Sequence, residues 1–512
     1  MKPGAREDGL PSDQRAHPGL LRLSPGTLGQ AKAGCVLPGY DRASLRTGIV
    51  HLGLGAFARA HLATYTDDLL ATASGDWGIV GVSLQRPDQR DRLMPQSGLY
   101  TALQRDGGGA AARVIGCVRA VLVAPEDPAA LLTVMAQDTC RIVSLTVTEK
   151  GYCHDPATGR LDHGHPDIRH DLEHPMTPRS AIGLIVAALR RRRASGLPPF
   201  TVLCCDNLPH NGRLLAALAR DFAALRDDRL AAWIETECAF PSTMVDRIVP
   251  ATTEADMAAS VEMTGLFDAA PVSHEPFRQW VIEDRFIART RPAWDKVGAQ
   301  LVADVAPYEH MKLRLLNGAH SALAYLGYLA GHETIADTVA DAVFRDYVVA
   351  LWRQEIIPSV PSPPGTDLQG YAADLLTRFA NPAIRHRTWQ IAMDGSQKLP
   401  QRLLSTMRER LAQGLPFPRL ALAVAAWVRY VGGIDEAGRT IDVRDPLAAT
   451  LQATLAAAGP DPAARIAAVL GMQAVFGADL RRAAPFVAAI TEAYAMLLAK
   501  GAPEAAALIP AD

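Results

Sequence analysis

No apolar run in this chain of 512 residues approaches the roughly 20 residues that a helix needs to cross a bilayer. Charge of one sign is equally scarce. The formal net charge is −2 with 21% charged residues, which leaves no electrostatic case for nucleic acid or a membrane surface as a partner. The one basic cluster, Arg190 to Arg193, ends the apolar helix expected over Ala181 to Leu189, where cations complement the helix dipole, and it reads as a solvated face. Cysteine pairing is absent from the pattern as well. Cys35, Cys117, Cys140, Cys153, Cys204, Cys205 and Cys238 are odd in number, contain no Cys-x-x-Cys and all precede residue 240. They read as reduced core thiols of a cytoplasmic protein, with neither a disulfide framework nor a zinc knuckle. A secretory signal is missing too: Met1 to Gly19 is polar and rich in proline, glycine and charge, the composition of a disordered tail.

Metal-ligand spacing is also lacking. Asp162 to His174 holds four histidines, and His170 and His174 are four apart as on a helix face. Proline and glycine interrupt the segment, and no His-Glu-x-x-His helix is formed. It reads as a loop between a strand around Val143 and a helix beginning near Ser180, and no metal is expected.

What the chain does have is a helix with polar groups along an apolar face. Pro307 to Ser321 reads PYEHMKLRLLNGAHS. At about 100° per residue, with Lys312 as zero, His320 falls near ~80° and Asn317 near ~140°, so three polar groups share one arc. Burying a lysine among leucines disfavours its charged form, which suits it to take a proton from an alcohol. The Asn317 carboxamide can donate to an oxygen that becomes negative, and His320 can hold or relay a hydroxyl hydrogen. The alternative is a core helix whose Lys312 reaches the surface.

Far upstream, Gly48 to Arg59 (GIVHLGLGAFAR) runs from a short apolar strand into a helix. Gly53 and Gly55 allow the tight turn and close backbone approach that a dinucleotide pyrophosphate needs at a helix N-terminus. A third glycine is missing, but the helix Ala60 to Ala73 and a second strand from Trp77 to Leu84 complete a βαβ unit. Between Ile49 and Asp206 the runs Ile49 to Leu52, Ile79 to Leu84, Ile142 to Thr148 and Thr201 to Cys205 alternate with helical stretches, as in a mainly parallel sheet covered on both faces. A hairpin over Tyr100 to Val123, turning at Gly107 to Gly109, is expected as an insertion. After Arg291-Pro292 the chain becomes rich in Ala and Leu helices, with Asp445-Pro446 and Asp461-Pro462 as starts.

Seven blocks carry a family resemblance: IVHLGLGAFARAH (Ile49 to His61), SLTVTEKGY (Ser144 to Tyr152), CDNLPHNG (Cys205 to Gly212), FPSTMVDRIVPATT (Phe240 to Thr253), EPFRQWVIEDRF (Glu275 to Phe286), YEHMKLRLLNGAHSALAYLGYLAG (Tyr308 to Gly331) and AMDGSQKLPQR (Ala392 to Arg402). From about Tyr40 to Pro446 the chain resembles the polyol-specific long-chain dehydrogenases, typified by mannitol 2-dehydrogenase and including the hexuronate reductases (fructuronate reductase, also called mannonate oxidoreductase). One departure is visible: the family commonly has histidine where this chain has Ala58.

The resemblance implies an α/β fold, with an N-terminal Rossmann-type, mainly parallel sheet domain and a mostly α-helical C-terminal domain. The expected boundaries are a disordered tail over 1–30, the dinucleotide-binding domain over 31–292 and the substrate domain over 293–512. It further implies that Lys312 is the base, that Asn207 and Asn317 are the donor pair at the reacting oxygen and that His320 orients the substrate. By the same resemblance Asp246 and Lys398 contact substrate hydroxyls, and Glu149 lies on the proton path. Gly53, Gly55, Phe57, Arg59 and Asp88 are the coenzyme candidates. After the second strand Leu84-Gln85-Arg86-Pro87-Asp88 offers both an arginine and an acid; NAD is expected through Asp88, with NADP kept open by Arg86 and Arg90. The implied reaction is metal-independent oxidation of a polyol secondary alcohol to a ketose, of the mannitol-to-fructose type, with a hexuronate reductase as the alternative. The partner is then a small-molecule polyol or sugar acid held in the cleft between the domains. A monomer is compatible with the sequence, which does not define the oligomeric state.

Overall fold

The computed structural model describes residues 19–155 and 158–510. It divides into two compact units, the first ending at Val305 and the second beginning at Ala306.

Among the described residues eleven strands lie in the first unit: β1 (Thr47–Leu52), β2 (Gly78–Ser83), β3 (Tyr100–Asp106), β4 (Gly109–Ile115), β5 (Val118–Val123), β6 (Ile142–Leu145), β7 (Thr201–Cys204), β8 (Thr243–Asp246), β9 (Val272–His274), β10 (Gln279–Glu283) and β11 (Gln300–Val302). Five form one parallel sheet in the order β5-β2-β1-β6-β7. Successive residues of a strand enter different cores: Val50, Val80, Val143 and Val202 join one apolar cluster, and Ile49, Ile79, Ile142 and Leu203 the other. Burial on both faces explains why these strands read as continuous apolar runs rather than as alternation. The chain winds outward from β1 through β2 to β5 and then returns to β6 and β7, so strand order reverses between β1 and β6. Open α/β sheets bind ligands at such a switch point.

The expected hairpin is real but shorter. β3 and β4 pair antiparallel across Gly107-Gly108, and β3 also pairs with β9. Val118 to Val123 leaves the hairpin and becomes the edge of the parallel sheet beside β2. β10, flanked by β8 and β11, makes a third sheet. Because β11 belongs to that sheet, the first unit continues past residue 292 to Val305. Of the expected tail over 1–30, residues 1–18 lie outside the described residues, whereas Leu23 is fully buried with Leu99, Val114 and Leu266.

Two other local expectations change. His165 caps a helix, Pro166–Glu173, inside the histidine-rich loop, and its Asp171 accepts from the backbone of Arg179 and Ser180 at 2.7 and 2.9 Å. Arg192 is not solvated. It is buried and donates to the carbonyls of Gln137 and Pro198, both at 2.6 Å, fastening the helix Ala181–Ala194 to neighbouring loops.

The second unit is helical. Pro418–Val431 is buried almost throughout its length and packs against Ala319–Leu329 and Ala484–Ala507. Asp461 caps Pro462–Leu470 as expected, whereas the Asp445 carboxylate is taken by Ser396 and the backbone of Leu447, and the next helix starts at Ala448. Among the described residues three π-helical segments, Lys312–Gly318, Leu351–Ile356 and Pro400–Leu404, interrupt the α-helices, and the first packs against the other two. Among the described residues no single helix is long and apolar enough to cross a membrane.

Candidate active site

Where β1 ends, Gly53 takes φ +87°, and a Cβ there would lie 2.2 Å from the Thr146 carbonyl oxygen that follows β6. Its amide donates to Val82 O at 2.8 Å. No other residue fits, because the turn requires both a left-handed backbone and contact between two strand ends. Behind it, Thr146 donates its hydroxyl to Gly53 O at 2.9 Å, and His51 bridges Thr146 Oγ1 (2.9 Å) and Ser144 Oγ (2.8 Å). Burial lowers His51 to about 4, so the ring is neutral. With the Thr146 proton committed to Gly53, His51 Nε2 carries the hydrogen and Nδ1 accepts from Ser144. A histidine inside an apolar strand is the one sign of this role that the sequence carries.

Beside this turn, the space a Cβ of Gly55 would enter is open: the nearest atom is Gly53 O at 3.9 Å. The short helix Ala56–Ala60 starts there and breaks at His61, on which the half-buried Phe57 ring stacks at 5.0 Å. A cradle that tolerates no side chain at Gly53 and leaves room at Gly55 fits a dinucleotide diphosphate. Gly53→Ala is expected to cost about 2 kcal/mol or more through its left-handed φ and the clash. A lowered midpoint of chemical denaturation measures this, and an unchanged midpoint would remove Gly53 as a required glycine.

Arg59 is buried, donates to Ala270 O and lies over the Tyr100 ring at 5.2 Å. With the exposed Asp88, Asp91, Arg92 and Thr253 it lines a cavity of about 520 Å³. Arg90 is engaged by Asp91 at 2.8 Å and by Glu126.

Asn207 follows β7, and Glu149 lies in a 3₁₀ turn after β6. Asp206 brings the two loops together: its carboxylate accepts from the amides of Val147 (3.0 Å) and Thr148 (3.1 Å) and from Tyr152 OH (2.8 Å). These bonds end β6 at Leu145, three residues before the expected Thr148. Burial raises the Asp206 pKa, and the three donors oppose that rise. Asn211 completes the anchor, donating to Asp206 O and Thr243 O, both at 2.8 Å. Thr148 (φ +65°), Cys153 (φ +49°) and His210 (φ +49°) are non-glycine residues with left-handed backbone in these same loops, where strain commonly collects at functional sites. Asp246, at the end of β8, is buried.

The residues expected on the long helix are all at least nine-tenths buried: Lys312 is 7% exposed, and Asn317 and His320 are each 5% exposed. Lys312 opens the first π segment, and Asn317 lies within it. The α-helical angles therefore do not hold across it, because a π turn is wider. Such turns are rare, and many lie at functional sites. Trp352 Nε1 donates to Leu315 O at 2.8 Å, satisfying a carbonyl inside the widened turn. A Cβ on Gly318 would come within 2.8 Å of Arg402 O, so this glycine admits the neighbouring π segment. His320 stacks on Phe379 at 4.3 Å, and its pKa is driven well down, first by burial and then by the neighbouring His386, Arg378, Arg402 and Lys312, whose protonated forms oppose a charge on the ring. Lys398 donates to the carbonyls of Ile391 and Met393.

Among the described residues Cys153, His165 and Asp167 have possible ligand atoms within 4.8 Å of one another, and the His170 and His174 rings lie 4.8 Å apart. His165 Nδ1 already accepts the Asp167 amide at 3.2 Å as a helix cap.

The first unit matches the mannitol dehydrogenase Rossmann domain over residues 47–296, and residues 304–498 match the mannitol dehydrogenase C-terminal domain. D-mannonate oxidoreductase of Escherichia coli is 50% identical over 477 residues, covering 92% of this chain and 97% of that protein. Mannitol 2-dehydrogenase of Aspergillus fumigatus is 42% identical, covering 92% and 96%. The Pseudomonas fluorescens mannitol 2-dehydrogenase ternary complex with NAD and D-mannitol superposes with a TM-score of 0.88 at 41% identity, covering 95% of this chain and 99% of that one. With both domain models matched in order and relatives similar over nearly their whole length, the chain belongs to the mannitol dehydrogenase family.

Proposed function

We propose that this protein reversibly oxidises a secondary alcohol of an open-chain sugar derivative to a ketone, with NAD as coenzyme and Lys312 as general base. The observation that carries the reading is the burial of Lys312, Asn317 and His320 along one helix at a π-helical turn. A positioned amine can take the alcohol proton in the chemical step. NAD, when bound, takes up the hydride. Lys312 removes the hydroxyl proton, Asn207 and Asn317 donate to the oxygen as it gains negative charge, and His320 orients the hydroxyl. Glu149 passes the proton toward solvent, while Asp246 and Lys398 contact further hydroxyls. A lysine base calls for no metal ion. Gly53, Gly55, Phe57, Arg59 and Asp88 hold the coenzyme. The engagement of Arg90 with two acids supports NAD over NADP, as does the NAD in the Pseudomonas fluorescens complex. Seven free cysteines suit a reducing cytoplasm.

The sequence alone ranks an uncharged polyol first as substrate. Two observations favour the alternative, a sugar acid of the fructuronate/mannonate type. The relative at 50% identity is named a D-mannonate oxidoreductase, and Arg378 and Arg402 lie near His320 while Lys398 and Arg402 lie near His386.

The test is a panel of mannitol, mannonate, fructose and fructuronate with each coenzyme, followed by absorbance of the reduced coenzyme. NAD is expected to give at least tenfold higher kcat/KM than NADP. Turnover of none of the four overturns the reading.

A further inference from the structure

The cationic run Arg385-His386-Arg387 is split by the fold. Arg385 and Arg387 are exposed and face Glu333 at 3.3 and 3.6 Å. His386 turns the other way. Arg385 adopts φ +42°, a backbone that L-residues rarely take, and the turn is held by Ile335 N donating to His386 O at 2.9 Å and Thr388 N donating to Glu333 O at 3.0 Å. The His386 ring meets that of His320 edge to face, with centroids 5.1 Å apart and planes at 89°.

His386 Nδ1 and His320 Nε2 are both buried without a hydrogen-bond partner among the described residues. A buried polar atom left unsatisfied is costly, and two on adjoining rings, one of them on a strained loop, call for a ligand that completes them. Burial with Lys398 and Arg402 lowers His386 to about 4, so its ring is neutral and keeps one N–H to donate. The same cations attract an anion.

We propose that His386 is a specificity-determining residue, a neutral imidazole beside His320 that donates its ring N–H to the carboxylate of the sugar-acid substrate. This rests on the sugar-acid reading above. It separates His386 from its neighbours Arg385 and Arg387, which take no part.

His386→Phe keeps an aromatic ring against His320 and removes the donor; His386→Gln restores a donor. In fructuronate reduction His386→Phe is expected to raise KM at least tenfold with kcat within threefold of wild type, while KM for fructose moves less than threefold. NADH affinity, read by fluorescence, is expected to stay unchanged, and His386→Gln to recover KM to within threefold of wild type. A fructuronate KM within threefold of wild type in His386→Phe, or an equal rise for both sugars, overturns the proposal. Should His386→Phe lose NADH binding through misfolding, His386→Gln decides: a KM far from wild type in a variant that binds NADH overturns it. If the wild type does not reduce fructuronate, the sugar-acid reading fails by itself. Binding of D-gluconate by calorimetry then tests the subsite, and equal affinity in wild type and His386→Phe overturns it.

Discussion

Replacing Lys312 with alanine is expected to lower kcat by roughly two to four orders of magnitude, the usual contribution of a positioned general base. Coenzyme affinity should remain near wild type, because the amine acts on the alcohol proton in the chemical step. The substitution removes a long side chain at a position 7% exposed, so Lys312→Met serves as the control that preserves apolar volume. Single-turnover measurements isolate the chemical step from product release. Retention of more than about a tenth of wild-type kcat, with chemistry rate-limiting, would assign the base elsewhere.

Fructuronate is expected to be reduced at least about a hundredfold more efficiently than fructose, in kcat/KM. A charge-assisted hydrogen bond contributes about 1.5 to 3 kcal/mol, and two at the lower figure give about 3 kcal/mol, slightly more than a hundredfold at 1.36 kcal/mol per decade. Arg402, which bears on both histidines, and Lys398, which bears on His386, supply the positive charge in this proposal. Arg402 also donates to Ser321 at 3.2 Å, so Arg402→Met is expected to erode the preference for fructuronate while leaving fructose turnover much less affected. Equal efficiency for the two sugars would return the assignment to an uncharged polyol, with the base and coenzyme site unchanged.

The two substrates share every element of the proposed chemistry. In that proposal Lys312, Asn207 and Asn317 act on the carbinol or its ketone, and that group is common to both. Discrimination therefore has to come from groups that meet the rest of the molecule, which is why the surroundings of His320 matter more to substrate identity than the motif containing the base.

The parallel sheet and the helical second half were legible in the sequence because each rests on local pattern: short β-branched runs punctuated by helices, then Ala- and Leu-rich periodicity. Gly53 was legible for the same reason, since a strand-to-helix turn that needs left-handed backbone admits little else. The candidate residues Lys312, Asn317 and His320 were found through their shared apolar helix, and their burial agrees with that pattern. Only tertiary structure decided what depends on distant partners. Val118 to Val123 joins β2 rather than the hairpin because a free sheet edge is available to it. The π turn at Lys312 exists in company with Trp352, 37 positions from the carbonyl it satisfies, and no 3.6-residue period announces it. Asp206 became an anchor because the loop after β6 presents two amides and a tyrosine to it. In the run Arg385-His386-Arg387 the sequence shows three basic residues of equal standing. The backbone turn at Arg385 sends one of them inward and leaves two in solvent, and side-chain direction within a loop is set by packing that linear order does not encode.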